Sequence, residues 1–258
     1  MGWRMRISFP IRRGSSALRR SVKRVYAIGD IHGCFDLFST LLSAIEADAA
    51  SREPAITEII VLGDFIDRGP GSAEVIAALQ ARQRRGLLTV LKGNHEAALV
   101  AAWEGDRTAL ALWLDHGGEA TLRSFGASQA ELSEIDARRV YDTLRRYIPR
   151  ATIRWLTSLP ISRRIGPLLF VHAGIRPGVP IAEQAPDDML WIRDEFTHCD
   201  IDHGVVVVHG HTISDEVAIR HNRIGVDTGA FKTGRLSAIG LEPGKRWVVG
   251  VQAEIPLG

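Results

Sequence analysis

Three short stretches place acids, imidazoles and an amide where apolar runs end: Gly29-Asp30-Ile31-His32-Gly33, Gly63-Asp64-Phe65-Ile66-Asp67-Arg68-Gly69-Pro70 and Gly93-Asn94-His95-Glu96. In extended chain, residues i and i+2 point to one side, so the Asp30 carboxylate and the His32 imidazole face a common point. The flanking glycines allow sharp turns and leave room for a ligand. Carboxylate, imidazole and amide donors, with no cysteine partner, suit a divalent Mn, Fe or Zn ion. One such cluster is as readily a helix cap beside a loop histidine; three of them, each closing an apolar run, make that plainer reading poor. Two later segments repeat the arrangement, with His172 after Phe170-Val171 and the pair His209 and His211 after Val205-Val206-Val207-Val208. On residue type alone, either member of that pair fits.

These clusters need strands to hold them, and the surrounding text repeats strand, loop and helix. Apolar runs at 25–28, 59–62 and 87–91 stop at Gly29, Gly63 and Gly93. Leu37, Leu41, Leu42 and Ile45 follow the first at helical spacing, and Val75, Ile76 and Leu79 follow the second. Three such units predict parallel strands covered by helices, with ligands gathered at the strands' carboxyl ends. Residues 96–159 read as a mostly helical insertion, anchored by Trp103, Leu110, Trp113 and Leu114 and punctuated by Gly117-Gly118 and Pro149. Further strands are predicted at 168–171, 205–208, 223–226, 236–241 and 247–251, and their short connections predict antiparallel pairing. The expected architecture is an α/β layered sandwich with a helical insertion, in a single domain.

Composition fits a soluble globular protein, with 45% hydrophobic and 24% charged residues. No apolar run approaches the roughly 18 residues that a membrane span needs. Cys34 and Cys199 are the only cysteines, so no disulfide framework exists and a reducing, cytoplasmic compartment fits. The net charge of +2 conceals an asymmetry. Residues 1–24 carry eight bases and no acid; the remaining 24 bases face 30 acids, a charge of −6. That tail reads as a solvated basic arm outside a domain of residues 25–258, with a nucleic-acid or membrane-surface arm, or an organelle transit peptide, as alternatives. Nothing in the sequence fixes the oligomeric state.

Taken in order, the three motifs resemble the signature of the calcineurin-like metallophosphoesterases, and more narrowly their phosphoprotein phosphatase branch. That branch includes bacteriophage lambda-type protein phosphatases and bacterial diadenosine tetraphosphatases. The resemblance runs from Val25 to Val226-Asp227-Thr228-Gly229-Ala230. It implies two mixed β-sheets flanked by helices and two divalent metal ions, manganese first, with iron or zinc as alternatives. Asp30 and His32 would bind the first ion and Asp64 would bridge, while Asn94, His172 and one histidine of the 209–211 pair complete the second. The wider superfamily uses Gly-His-x-His; here Gly210 is followed by His211 and then by Ile213, which cannot coordinate. His211 is therefore the implied ligand and His209 a strand-end neighbour. Two such ions lower the pKa of water and neutralise phosphoryl oxygens during in-line displacement.

By the same resemblance His95 is the general acid, Asp67 its orienting partner and Arg68 a phosphate clamp. The segment from Asp188 to Arg193 resembles the one carrying the branch's second phosphate-binding arginine, so Arg193 is the second clamp, with a surface ion pair to Asp194 or Glu195 as its plainer alternative. The implied activity is hydrolysis of phosphomonoesters, first of phosphoserine and phosphothreonine in proteins, then of phosphotyrosine and small phosphoesters. The alternative is a symmetrical dinucleoside tetraphosphate hydrolase, and a third reading is a metal-binding scaffold without turnover, which the completeness of the site disfavours. The insertion and the 173–186 loop are expected to frame the substrate, with Trp103, Trp113, Trp155 and Trp191 turned either way. His116, His198, His203 and His221 are expected on the surface.

Overall fold

Alternation along the strands decides which faces are packed. In β1 (Lys23–Ile28), Val25 and Ala27 point to one side and Tyr26 and Ile28 to the other, and all four are buried. A strand apolar on both faces must lie inside a covered sheet. The computed structural model, which describes residues 23–133 and 139–253, places β1 at the middle of a five-stranded sheet ordered β10-β9-β1-β2-β3. Its other members are β2 (Ile56–Val61), β3 (Thr89–Val90), β9 (Arg235–Glu242) and β10 (Lys245–Gln252). The pairs β1–β2 and β2–β3 are parallel, and β9 joins β1 antiparallel.

The second sheet runs β4-β5-β6-β8-β7, from β4 (Ser162–Ile165), β5 (Leu168–Val171), β6 (Val206–His209), β7 (Ala218–Ile219) and β8 (Arg223–Gly225). Here the expected antiparallel pairing fails for three strands, because β5, β6 and β8 are parallel neighbours. The chain between β5 and β6 is long enough to cross over, and it carries α9 (Pro186–Trp191) and α10 (Asp194–Thr197). Antiparallel pairing holds at β4–β5, β7–β8 and β9–β10, though the last hairpin belongs to the first sheet.

Three apolar layers follow. Val25, Ala27, Ile60, Leu62, Phe170, Val208 and Ile239 fill the space between the sheets. Tyr26, Ile28, Ile59 and Val61 face α1 (Phe35–Ser51), α2 (Ser72–Arg84) and α3 (Asn94–Glu104). Leu169, Val171 and Val207 pack against Met189, Ile192 and Phe196 on the outer side of the second sheet. The predicted α/β architecture of two mixed sheets flanked by helices is the one observed.

The helical insertion comprises α4 (Arg107–Trp113), a π-type turn at Leu114–Gly118, α5 (Glu119–Ser124), α6 (Gln129–Ser133), α7 (Arg139–Tyr147) and α8 (Arg150–Ser158). Its apolar residues, Trp113, Leu122, Leu144 and Leu156 among them, are continuous with the helical core. A last short helix, α11 (Ala230–Thr233), precedes β9.

The basic stretch expected at 1–24 lies outside the described residues except for its last two. Lys23 and Arg24 open β1, and Arg24 is buried, donating to Glu242 Oε1 at 2.7 Å and to the carbonyls of Ala49 and Glu53. The folded part therefore includes these two residues, which the expected boundary at Val25 left out. Among the described residues no helix is long and apolar enough to cross a membrane.

Candidate active site

Six strands deliver polar residues to one rim. Asp30 follows β1, Asp64 follows β2, Asn94 begins α3 after β3, His172 follows β5, His211 follows β6 and Asp227 follows β8. All six come from strands whose neighbours at that rim run parallel, so their carboxyl ends open onto the same side. The antiparallel arrangement expected for the second half could not have brought His172, His211 and Asp227 together.

Asp30, His32, Asp64, Arg68, Asn94, His95, Arg193 and His211 line a single cavity of about 290 Å³. Asp67 and His172 stand directly behind it and are fully buried. All ten residues singled out in the sequence thus meet at one place. His116, expected on the surface, is exposed but also lines the cavity, with Trp191, Thr212 and Ile213.

Two groups of donor atoms share Asp64. One contains His32, Asp64 and His95, the other Asp64, His172 and His211. His172 Nε2 lies 2.8 Å from Asn94 Oδ1, 3.1 Å from His211 Nδ1 and 3.3 Å from Asp64 Oδ2. His172 Nδ1 donates to the Leu62 carbonyl and His32 Nδ1 to the Ile66 carbonyl, which turns both Nε2 atoms inward. His211 Nε2 is buried and finds no hydrogen-bond partner among the described residues. A convergence of lone pairs of this kind is satisfied by a cation, so the donor set fits a metal centre. Asp30 lies outside both compact groups; its two oxygens accept the His211 N–H at 3.2 and 3.1 Å.

The electrostatics point the same way. Burial and the charges of Asp227 and Asp64 push the Asp30 carboxyl well above its usual range. Burial pushes Asp227 up to about 6 and, with help from Asp64, Glu96 up to about 7. For Asp64 burial acts in the same direction, yet the imidazoles of His172, His95 and His32 outweigh it and hold the carboxyl well below the usual range. Burial also lowers His32 to about 3 and His211 to about 2, keeping both rings neutral, so that each has one nitrogen lone pair to offer. Four buried carboxylates around one point call for positive charge to balance them.

Arg68 supplies part of that charge. Its guanidinium donates to His32 Nε2 at 2.9 Å and to His95 Nε2 at 3.1 Å, and stacks 4.5 Å over the Phe231 ring. Arg193 donates to the His211 carbonyl at 3.3 Å. Glu195, one of its two candidate ion-pair partners, is instead paired with Arg176. His95 Nδ1 donates to Asp67 Oδ2 at 2.7 Å. Burial pulls His95 down, but Asp64 and Asp67 raise it above the ordinary histidine value.

Two residues of this site had no role in the sequence reading. Glu96 accepts the backbone N–H groups of Gly93, Asp64, Phe65 and Ile66 at 2.8, 2.9, 2.9 and 3.3 Å, tying the second motif to the third. Asp227 accepts the Gly229 N–H at 2.8 Å and faces Asp30. Both lie inside quoted motifs, Gly93-Asn94-His95-Glu96 and Val226-Asp227-Thr228-Gly229, which was the available signal. His209 is buried, with Nδ1 on the Gly210 carbonyl and its ring edge-on to Phe196, away from both donor groups. Burial raises the Cys34 thiol to about 11, which keeps it protonated at neutral pH.

The sequence profile of calcineurin-like phosphoesterases matches residues 23–233. The chain belongs to that family. As a calcineurin-like phosphoesterase it is a hydrolase of the metallophosphoesterase type. It is 28% identical over 222 residues to serine/threonine-protein phosphatase 2 of Escherichia coli, covering 83% of this chain and 91% of that one. It is 26% identical to the asymmetrical bis(5'-nucleosyl)-tetraphosphatase PrpE of Bacillus velezensis, over 89% and 92% of the two chains. A solved structure described as a candidate diadenosine tetraphosphatase superposes with a TM-score of 0.60 at 21% identity, covering 89% of this chain and 98% of the other. The cold-active protein-tyrosine phosphatase of a psychrophilic Shewanella gives 0.51 at 21% identity, over 88% and 80%. Both structures share the fold.

Proposed function

We propose that this calcineurin-like phosphoesterase is a dimetal phosphomonoesterase acting on phosphoserine and phosphothreonine in proteins. The observation that carries the reading is a polar cavity of about 290 Å³ in which two arginines and the Asp67–His95 pair surround the donor atoms. That volume takes a phosphoryl group and the first atoms of its ester; a dinucleotide's two nucleosides would extend beyond it. Of the four tryptophans in or near the expected substrate frame, Trp113 is buried on Asp67 and Trp155 is tied to Gln83, so neither offers a face to a nucleobase. Trp103 lies beneath Arg145, and Trp191 lines the cavity at its mouth. A single indole can flank a phosphopeptide, whereas gripping the base of a dinucleoside polyphosphate usually takes aromatic surface on both sides.

Asp30, His32, Asp64, Asn94, His172 and His211 would hold the two ions, manganese first, which supply an activated water and charge neutralisation. The protein's own part is binding and proton transfer. A phosphoryl dianion is a stronger acceptor than imidazole, so it draws Arg68 away from His32 and His95 and onto its oxygens, while Arg193 grips it from the opposite wall. His95, freed at Nε2 and held at Nδ1 by Asp67, takes up a proton there as the imidazolium that Asp64 and Asp67 favour, and gives that proton to the leaving oxygen.

The relatives' names point both ways, one to a protein phosphatase and one to a nucleoside tetraphosphatase, so the substrate rests on the cavity. Turnover of para-nitrophenyl phosphate by chelated and manganese-reloaded protein tests the catalytic part. Hydrolysis restored by the metal supports it; no turnover with any of several divalent ions overturns it.

A further inference from the structure

The helical insertion reaches the chemistry through Trp113. This side chain is 1% exposed, and its indole N–H points at both oxygens of Asp67, 3.0 Å from Oδ1 and 2.9 Å from Oδ2. From the next helix, Thr121 donates its hydroxyl to Asp67 Oδ1 at 2.5 Å and accepts the Asp67 N–H at 3.0 Å, with Ser72 Oγ completing the set. The Asp67 carboxylate thus has three donors: His95 Nδ1, the indole and the hydroxyl. Two of the three come from the insertion.

The turn between those helices is shaped for this contact. At Gly117, with φ 99°, the carbonyl accepts the Arg68 N–H at 3.1 Å. A Cβ on Gly118 would lie 2.4 Å from the Trp113 ring. The insertion can therefore press its turn onto Arg68 while seating the indole beneath Asp67. Both Asp67 and Arg68 have left-handed backbones, φ 70° and 68°, which non-glycine residues keep only when their surroundings hold them.

We propose that Trp113 and Thr121 are positioning residues for the acid step: they fix the Asp67 carboxylate so that His95 Nε2 is aimed at the leaving oxygen. The proposal rests on the assignment of His95 as general acid. In that step the bond between phosphorus and the ester oxygen breaks, its electron pair stays on oxygen, and the proton passes from His95 Nε2 to release a neutral alcohol. An ester whose alcohol is acidic needs little of that help, and an ester of a poor leaving group needs most of it. Loss of aim must therefore be selective for the leaving group, whereas loss of fold or of metal is not.

The test compares phenyl phosphate with 2,4-dinitrophenyl phosphate in the manganese-loaded full chain. Trp113→Phe and Thr121→Val should each lower kcat on phenyl phosphate about tenfold, and on the dinitrophenyl ester less than about threefold, a fraction of what removing the acid costs. Thr121→Ser should restore the wild-type ratio, and bound metal per chain should not change. Equal losses on the two esters, or metal loss in step with activity, would overturn the proposal. Should Trp113→Phe fail to fold, the Thr121 pair decides alone. His95→Asn is the control: if it shows no leaving-group selectivity, the acid assignment falls and this inference with it, whereas selectivity in His95→Asn alone overturns only the inference.

Discussion

Asp64 is the one carboxylate common to both donor groups, with Oδ2 3.8 Å from His32 and His95 Nε2 and 3.3 Å from His172 Nε2. Asp64→Asn should therefore lose bound metal and activity together, read by metal analysis beside turnover. His95→Asn should keep its metal and slow by about 10²-fold or more, the scale of a lost general acid. Equal metal loss in the two variants would show that holding the ions and delivering the proton are not divided as described. Strain marks the same residues. His32, Asp64, Asp67, Arg68 and His211 are the non-glycine residues with positive φ among those described; four of them line the candidate centre and Asp67 stands behind it. Such conformations cost about 1–3 kcal/mol each and persist where the surroundings over-determine them.

Glu96 shows how one side chain binds two elements into a site. By accepting four backbone N–H groups it holds the loop after β2 against the start of α3. Glu96→Gln replaces one acceptor oxygen with an amide donor facing those N–H groups. The expected result is a metal affinity lowered about 10- to 100-fold, as for other supports of metal ligands, measured by titration of the chelated protein. An unchanged affinity would mean that α3 and β2 hold the loop without it. Much of this level was legible in the sequence, because each cluster sits within a few residues of the apolar run that positions it. Asp30, Asp64 and Asn94 were placed by local pattern alone. Parallel pairing of β5, β6 and β8 was not legible, since short apolar runs carry no direction and the crossover at 172–205 lacks a long helical repeat. Trp113 was read correctly as an apolar anchor, but nothing in the chain reveals that its N–H ends on Asp67. Glu96 and Asp227 stood in the quoted motifs, yet their partners lie on other strands.

Across the whole molecule, the end of the first sheet opposite the candidate site is closed by charge, where β1 begins and β9 ends. Arg24→Ala would leave Glu242 and two carbonyls unpaired and should cost about 3 kcal/mol, seen as a lower denaturant midpoint. Removal of residues 1–22 should leave turnover of para-nitrophenyl phosphate unchanged; a collapse would mean that the basic stretch belongs to the working enzyme. Nearby, hydrogen bonds from Arg52, Tyr26 and Trp247 hold the Asp48 carboxyl down at about 2. A depressed carboxyl stabilises the fold above its unfolded pKa near 4, and that stability is lost as pH falls from there towards 2. Asp48→Asn should therefore flatten the acid limb of the melting curve in that window and leave the slope above pH 6 unchanged. The central claim, a metal-dependent phosphomonoesterase, is tested most directly by kcat/KM for a phosphoserine peptide and for diadenosine tetraphosphate on one chelated and manganese-reloaded preparation. The account predicts metal-restored turnover favouring the peptide by about tenfold or more, the scale of modest pocket discrimination. Faster cleavage of the tetraphosphate, or hydrolysis indifferent to metal, would contradict it.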